Sequence, residues 1–159
     1  LFSILQFEIE GRRVLDLFAG TGQLGIECLS RGAAKAVFVD QRTDAVRLIR
    51  ENLALTELAD RAEVICGSAL DVVARAHGTF DIIFLDPPYQ TGLLEKALEQ
   101  IAAFDILNPH GIIAADHPAD RPPVSPTETC RLHRTYRYGK IGLTIFRRAE
   151  NHRNEGETP

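Results

Sequence analysis

One short segment combines groups that could hold a planar amine for reaction, and it reads Asp86, Pro87, Pro88 and Tyr89. The Asp86 carboxylate can accept hydrogen bonds from the amine, and the prolines lack N–H donors, so carbonyl oxygens remain to face it. An exocyclic base amine is a poor nucleophile because its lone pair is delocalised, and such acceptors can orient it towards a methyl donor. The Tyr89 ring offers a face on which an extruded base could stack. We expect these residues to be catalytic; the alternative is a structural turn with a satisfied Asp86 and a packed Tyr89.

A glycine-rich turn precedes a segment of helical periodicity and reads Gly20, Thr21, Gly22, Gln23, Leu24 and Gly25. Glycine lets the backbone pass close to a ligand, and the N-terminus of the following helix presents free N–H groups. Asp40 closes the next predicted strand, where a carboxylate can accept hydrogen bonds from ribose hydroxyls. Alone, this pattern predicts a dinucleotide site of the NAD type, with a ligand-free strand–helix turn as the alternative.

Asp16, four residues before Gly20, favours a different nucleotide cofactor. An acidic group at this position can hold an amino-acid ammonium, which S-adenosylmethionine carries and NAD lacks. Methyl transfer from S-adenosylmethionine also agrees with the amine-orienting segment at 86–89. We expect no metal, because carboxylates and histidines do not cluster along the sequence.

The segments that would position these residues alternate between short apolar runs and helical periodicity, which is typical of βαβ units and a mostly parallel sheet. We expect strands over 14–18, 36–40, 62–66, 80–85 and 112–115. We expect helices over about 23–31, 43–58, 69–76 and 93–102, a turn at 108–111 and a proline-rich surface loop at 117–127. The runs 129–138 and 141–147, joined at Gly139 and Lys140, predict an antiparallel hairpin.

The composition is that of a soluble globular domain: 159 residues, 45% hydrophobic and 25% charged, with a net charge of −4. These values exclude disordered, collagen-like and coiled-coil architectures, and the length suits one domain, expected over 1–148 with a polar, disordered tail at 149–159. The sequence has neither a membrane-spanning run nor a signal peptide, so we expect a cytoplasmic protein. Three scattered cysteines indicate reduced thiols rather than a zinc site. The chain contains no methionine, so we expect that N-terminal residues of the whole protein are missing.

Basic residues are concentrated near the end of the chain. Residues 130–153 carry seven basic groups and one acidic group, a net +6, which leaves 11 basic against 21 acidic groups elsewhere. The alternation of a strand predicts a mostly basic face and a mostly aromatic face, formed respectively by Arg131, His133, Thr135 and Arg137 and by Leu132, Arg134, Tyr136 and Tyr138. This hairpin either contacts RNA phosphates or presents a solvated face that deters edge pairing.

The motif D-L-F-A-G-T-G at 16–22, the acidic end of the second strand and D-P-P-Y at 86–89 together resemble class I S-adenosylmethionine-dependent methyltransferases that modify amino groups. The segment L-F-S-I-L at 1–5, the run 16–33 and the segments 86–89 and 92–94 are similar to the RsmD-type 16S ribosomal RNA guanine-N2 methyltransferases. The resemblance extends over nearly all of 1–148. It implies a Rossmann-like α/β fold with a seven-stranded, mostly parallel sheet, helices on both faces and a C-terminal antiparallel hairpin.

The same resemblance implies methyl transfer to the N2 amine of one guanine in 16S ribosomal RNA, either free or in an assembling small ribosomal subunit. It implies S-adenosylmethionine as the cofactor, held by Asp16, Phe18, Ala19, Gly20, Thr21, Gly22, Asp40, Gln41, Ser68 and Ala69. Many enzymes of this fold carry an acidic residue where Ser68 stands. The family also has a basic N-terminal arm ahead of the segment that matches 1–5, and this sequence starts inside the family pattern.

Other functions are compatible with parts of the pattern. N6-adenine DNA methyltransferases and protein glutamine methyltransferases also use Asp/Asn-Pro-Pro-aromatic turns, although neither accounts for the long match at 16–33. An NAD-dependent oxidoreductase fits the glycine turn alone, and a non-catalytic RNA-binding module could keep the fold. Nothing in the sequence indicates an oligomeric state.

Overall fold

The computed structural model describes residues 1–76, 78–89 and 91–148, and in these residues seven strands form one sheet. The strands are β1 (Arg13–Asp16), β2 (Lys35–Asp40), β3 (Ala62–Cys66), β4 (Phe80–Leu85), β5 (Leu107–Pro118), β6 (Cys130–Tyr138) and β7 (Ile141–Arg148). Their order is β3-β2-β1-β4-β5-β7-β6, and β7 runs antiparallel to both of its neighbours, β5 and β6. The predicted fold with its C-terminal hairpin is confirmed, and the predicted tail at 149–159 lies outside the described residues.

Helices cover both faces of the sheet. They are α1 (Phe2–Leu5), α2 (Gln23–Ser30), α3 (Thr43–Leu55), α4 (Ala69–Ala74) and α5 (Leu93–Phe104), with a 3₁₀ turn at Ala59–Arg61. Leu29 of α2 shares a buried cluster with Phe38 on one face, and Leu98 of α5 shares another with Ile83 on the opposite face. Because both faces are covered, the central strands are continuous apolar runs. In the part of the chain that the structure describes, no helix is long and apolar enough to cross a membrane.

The parallel strands bring their carboxyl ends to one edge of the sheet, and the β6–β7 turn reaches the same edge. Pro118, the last residue of β5, is paired with Ile141 of β7, and Ile141 is paired in turn with Tyr138 of β6. The hairpin turn therefore lies beside the carboxyl end of β5, where ligands bind in sheets of this kind.

β5 is longer than its sequence pattern predicted. Residues 116–118 extend the strand beyond 112–115 because they pair with β7, a distant partner that a local pattern does not reveal. Residues 108–111, predicted as a turn, instead form an irregularity within β5, where the pairing with β4 shifts register. Pro109 suits this place because it has no N–H to give to a ladder.

A bulge at His133 rearranges the faces of β6, so the predicted division into a basic face and an aromatic face is wrong. The pairing with β7 shifts between Leu132 and Arg134, and the extra residue reverses the alternation after it. The tyrosine face of β6, as we call it, is formed by Arg131, Arg134, Tyr136 and Tyr138. Thr135 and Arg137 lie on the opposite face with Leu132. The Arg134 guanidinium lies 5.0 Å from the centroid of the Tyr136 ring, as expected for neighbours on one face.

Candidate active site

The register of the sheet brings aspartates together at its carboxyl edge. Asp16, the last residue of β1, is paired with Phe38 of β2 and with Phe84 of β4. Asp40 and Asp86 lie two residues beyond these partners, so their side chains point to the same side of the sheet as Asp16. Across the described ranges, no group of three or more His, Cys, Asp or Glu side chains is arranged to hold a metal ion. The three aspartates concentrate hydrogen-bond acceptors at this edge of the sheet.

A cavity of about 620 Å³ opens between the glycine turn and the segment 86–89. This volume is typical of sites for small molecules and cofactors, which occupy about 300–1,000 Å³. The wall is formed by Leu17, Phe18, Gly20, Asp40, Gln41, Arg42, Gly67, Ser68, Ala69, Leu70, Asp86, Pro87, Pro88, Tyr89 and Leu93. All four predicted catalytic residues and six of the predicted cofactor-binding residues thus line one space.

The other four predicted cofactor-binding residues do not line this cavity. Ala19 is buried and donates its N–H to a β2 carbonyl at 2.9 Å. Gly22 precedes α2 with a φ of 82°, and the Thr21 carbonyl accepts a hydrogen bond from the Asn52 side chain at 3.0 Å. These three residues shape the glycine turn, and the fourth, Asp16, is buried behind it.

Asp40 connects the glycine turn to the end of β2. One carboxylate oxygen accepts a hydrogen bond from the Gly20 N–H at 3.0 Å, and the other accepts one from the Arg42 N–H at 3.0 Å. Gly20 has a φ of 58°, a left-handed conformation that favours glycine. Each carboxylate oxygen retains a further lone pair, so Asp40 can also accept hydrogen bonds from ribose hydroxyls.

Asp16 is a buried carboxyl group without a hydrogen-bond partner. The residue is 1% exposed, and neither side-chain oxygen is hydrogen-bonded within the described residues. Burial, reinforced by the nearby carboxylate of Asp86, raises the pKa of Asp16 to about 7. The partial positive charge of the backbone N–H groups of Phe18 and Gly25 lowers this pKa, although neither group has the geometry of a hydrogen bond to the carboxyl group. Because an unpartnered buried carboxylate is unfavourable, a cationic ligand group beside Asp16 would be stabilised.

The segment 86–89 follows β4, and its hydrogen-bond acceptors are available to a ligand. Asp86 makes no hydrogen bond or ion pair with another described residue, and partial burial raises its pKa. The Pro88 carbonyl accepts a hydrogen bond from the Thr91 hydroxyl at 2.9 Å, whereas the Pro87 carbonyl accepts none from the described residues. Tyr89 is 46% exposed, so one face of its ring is open to a planar partner.

Asp116 is a site residue that the sequence analysis missed. Leu85 of β4 is paired with Ala115 of β5, so Asp86 and Asp116 follow one residue later on adjacent strands, which lie about 4.8 Å apart. Burial and the neighbouring Asp86 raise the pKa of Asp116 to about 6. The predicted strand stopped at residue 115, and only the pairing with β7 brings Asp116 to this edge.

The sequence analysis also missed five residues of the cavity wall: Leu17, Arg42, Gly67, Leu70 and Leu93. All of them except Leu93 adjoin a predicted site residue along the chain. The Gly67 N–H donates to the Asp40 carbonyl at 3.0 Å, which places the end of β3 against the end of β2. Arg42 and Gly67 lie in predicted connections between strands and helices, and Leu70 and Leu93 lie at predicted helix starts. This was a usable signal, because site residues in parallel sheets come from these connections. Leu17 lay inside the predicted strand 14–18 and carried no such signal.

A second cavity, of about 260 Å³, lies next to the first. Pro87, Pro88, Tyr89 and Leu93 line both cavities, whereas Asp116 lines only the second. Pro87, Pro88, Tyr89 and Leu93 therefore form the wall at which the two spaces meet, and Asp86 lies on the side of the first cavity.

The chain is similar to known proteins over most of its length. Residues 1–147 match the family described as Conserved hypothetical protein 95. The chain is 34% identical over 129 residues to Ribosomal RNA small subunit methyltransferase D of Haemophilus influenzae, which covers 79% of this chain and 67% of that protein. It is 30% identical over 148 residues to the protein of the same name from Escherichia coli K12, covering 93% and 74% respectively. A solved structure described as a conserved hypothetical protein of Streptococcus pyogenes matches with a TM-score of 0.87 and 29% identity, over 95% of this chain and 94% of that chain.

Proposed function

The chain belongs to the family described as Conserved hypothetical protein 95, of the RsmD type, and we propose that it transfers a methyl group from S-adenosylmethionine to the N2 amine of a guanine in 16S ribosomal RNA. The observation that carries the proposal is that residues suited to a nucleotide cofactor and residues suited to an amine line one cavity. Methylation of ribosomal RNA is supported by the two relatives, which are named as small-subunit ribosomal RNA methyltransferases. The choice of guanine N2 is the finer part of the proposal and rests on the resemblance of the segments 1–5, 16–33, 86–89 and 92–94 to RsmD-type enzymes. The acceptors of the segment 86–89 support a planar amine but do not by themselves distinguish guanine from adenine.

The first cavity fits S-adenosylmethionine through groups of this chain. Asp16, buried and unpartnered, would ionise beside the ammonium of the amino-acid portion, a group that NAD lacks. Asp40 would accept hydrogen bonds from the ribose hydroxyls, and Ser68 and Ala69 would lie against the adenine. When bound, the cofactor supplies an electrophilic methyl group.

The amine would be oriented by acceptors at the wall between the cavities. Asp86 would accept one N2–H, and the Pro87 carbonyl, which has no donor among the described residues, would accept the other. These contacts direct the nitrogen lone pair away from the acceptors and towards the first cavity. Holding the two reactants in this geometry is the main contribution that the chain makes to the rate. Tyr89 would stack on the extruded base, an interaction worth about 1–3 kcal/mol per base.

The methylated nitrogen must release one proton to give the neutral product. Asp86 would accept this proton, and the raised pKa of its carboxyl group makes it a better base than an aspartate with an ordinary pKa. A carboxylate is sufficient, because the amine becomes strongly acidic only as its bond to the methyl group forms.

The proposal is tested by incubating the chain with labelled S-adenosylmethionine and either deproteinised 16S ribosomal RNA or 30S particles. Mass spectrometry of nuclease fragments then maps the modified base. We expect N2-methylguanosine at one position. Labelled N6-methyladenine or methylglutamine would contradict the choice of amine, and binding of NADH without binding of S-adenosylhomocysteine would contradict the choice of cofactor. Cofactor binding without transfer to either substrate would indicate a non-catalytic module.

The mechanism is tested by Asp86→Ala, which removes the acceptor and should abolish methyl transfer while S-adenosylhomocysteine still binds. Asp60→Ala is the matched control, because Asp60 is an exposed acid in the 3₁₀ turn and lines neither cavity. Activity of Asp86→Ala at the wild-type level would exclude Asp86 as the residue that orients the amine.

A further inference from the structure

We propose that the second cavity, of about 260 Å³, is the pocket for the target base and that Asp116 and Arg121 select guanine there by its Watson–Crick edge. The inference rests on the proposed function and specifies how the substrate base is chosen. It concerns two residues that lie outside the cofactor cavity and outside the segment 86–89.

The position of the second cavity suits a base that must present its amine to the first. The two cavities share the wall formed by Pro87, Pro88, Tyr89 and Leu93. A base in the second cavity can therefore contact the exposed Tyr89 ring while its amine reaches past this wall to Asp86, which lines the first cavity. The volume is just below the range of about 300–1,000 Å³ that drug-sized ligands occupy, which is appropriate for a single base.

Asp116 is placed to distinguish guanine from adenine. The strand pairing places Asp116 beside Asp86. The Asp116 side chain makes no hydrogen bond or ion pair with another described residue. Guanine carries N1–H next to its N2 amine, so two adjacent carboxylates can accept from adjacent donors, Asp86 from N2–H and Asp116 from N1–H. Adenine presents a lone pair at N1, which a carboxylate would repel.

Arg121 supplies the complementary donor. Its backbone N–H donates to the Pro118 carbonyl at 3.0 Å, which fixes the residue at the end of β5. Its exposed side chain forms no hydrogen bond or ion pair with the described residues, and it lines the second cavity with Asp116. Guanine has an acceptor, O6, next to N1–H, whereas adenine has an amine there. A carboxylate and a guanidinium in this order therefore match guanine and oppose adenine.

The ionisation of Asp116 agrees with this role. Burial and the Asp86 charge raise the pKa of Asp116 to about 6, while the adjacent His117 opposes the rise. At neutral pH most Asp116 side chains are ionised, so the residue is an acceptor that its surroundings do not satisfy. A buried or half-buried acceptor of this kind gains strongly from a donor on the ligand.

The test compares guanine with 2,6-diaminopurine at the mapped position of 16S ribosomal RNA assembled by ligation. Diaminopurine keeps the 2-amine that accepts the methyl group, but it has a lone pair at N1 and an amine in place of O6. For the wild type we expect kcat/KM to fall by at least about 100-fold on the analogue, because a site built to hydrogen-bond a group discriminates strongly against its absence. In Asp116→Asn the side-chain amide can donate to N1, so activity on guanine should fall and the preference should shrink by about tenfold or more.

Two further variants complete the test. Arg121→Gln should raise KM for the guanine substrate more than it lowers kcat, because it removes a contact to O6 that binds the base. Asp120→Asn is the control, since Asp120 is an exposed acid next to Arg121 that does not line the cavity. An unchanged guanine preference in Asp116→Asn would overturn the inference while the proposed function stands. Failure of the wild type to methylate the guanine substrate would instead overturn the proposed function.

Discussion

The Asp40 carboxylate accepts a hydrogen bond from the Gly20 N–H at 3.0 Å, so the acid that ends β2 also fixes the glycine turn that follows β1. Its second oxygen accepts from the Arg42 N–H and holds the connection that leads into α3. Two βα connections are thus joined through one side chain before any ligand binds. A residue with this position contributes both to the shape of the cavity and to contacts with a bound ribose.

Asp40→Ala should weaken binding of S-adenosylhomocysteine by at least about tenfold, because hydrogen bonds to a charged group contribute about 1.5–3 kcal/mol each. Asp40→Asn keeps one carbonyl acceptor and should lose less affinity. Isothermal titration calorimetry measures both. Asp44→Ala is the control, because Asp44 is exposed in the first turn of α3 and does not line the cavity. Equal affinities for Asp40→Ala and the wild type would exclude Asp40 from the ribose site.

Substitutions of Gly20 in the turn and of Gly25 in α2 should separate binding from stability. A Cβ at Gly25 would clash with the Phe38 ring, so Gly25→Ala should lower the free energy of unfolding by about 1–3 kcal/mol. A Cβ at Gly20 would meet nothing within 4 Å, but the φ of 58° strains any other residue. Gly20→Ala should therefore cost only about 1 kcal/mol in stability and act mainly on cofactor affinity. Urea unfolding and calorimetry on both variants check this, and the reverse order of stabilities would contradict it.

The pKa of Asp16 predicts that the ligand-free chain loses stability as the pH rises. The carboxyl group titrates at about 7 in the fold against 3.8 in the unfolded chain, so between these values the folded state holds a proton that the unfolded state has released. The free energy of unfolding therefore falls with pH across this window, by at most about 4 kcal/mol. The charges of Asp86 and Asp40 help to raise the pKa of Asp16. Asp116, whose pKa is raised to about 6, also lowers the free energy of unfolding as the pH rises.

Urea unfolding at about pH 5 and about pH 8 measures this dependence, and Asp16→Asn should make it clearly shallower. Addition of S-adenosylhomocysteine should also reduce it, because its ammonium favours the ionised carboxylate. Calorimetry in buffers of different ionisation enthalpy should detect proton release from Asp16 on binding near neutral pH. A slope in Asp16→Asn identical to that of the wild type would show that Asp16 is not the group responsible.

Most residues that line the first cavity could be predicted from the sequence because they belong to local patterns. Gly20 and Asp40 each follow an apolar run, and Asp86 follows another, so a parallel sheet brings them together. Asp116 could not be found in this way, because residues 116–118 become a strand only by pairing with β7. The faces of β6 were also beyond a local pattern, since a bulge at His133 depends on the partner strand.

The corrected faces of β6 lead to a prediction about RNA. Asp116 is paired with Leu143, and Leu143 is paired with Tyr136, so the tyrosine face of β6 lies on the same side of the sheet as Asp116 and continues towards the second cavity. Arg134 and Tyr136 on this face, with Tyr138 at 57% exposure, combine positive charge with rings on which bases can stack. Arg134→Gln and Tyr138→Ala should therefore weaken binding to 16S ribosomal RNA, the first with a smaller dependence on salt.

Arg137→Gln provides the matched control for this prediction. Arg137 lies in the same strand as Arg134, and Arg137→Gln removes the same charge. The bulge places Arg137 on the opposite face of β6. Filter binding or fluorescence anisotropy at several salt concentrations compares the three variants. If Arg137→Gln weakened binding as much as Arg134→Gln, the RNA would respond to the charge of the hairpin as a whole. A selective effect of Arg134→Gln would show that the RNA contacts the tyrosine face, which lies on the same side of the sheet as Asp116.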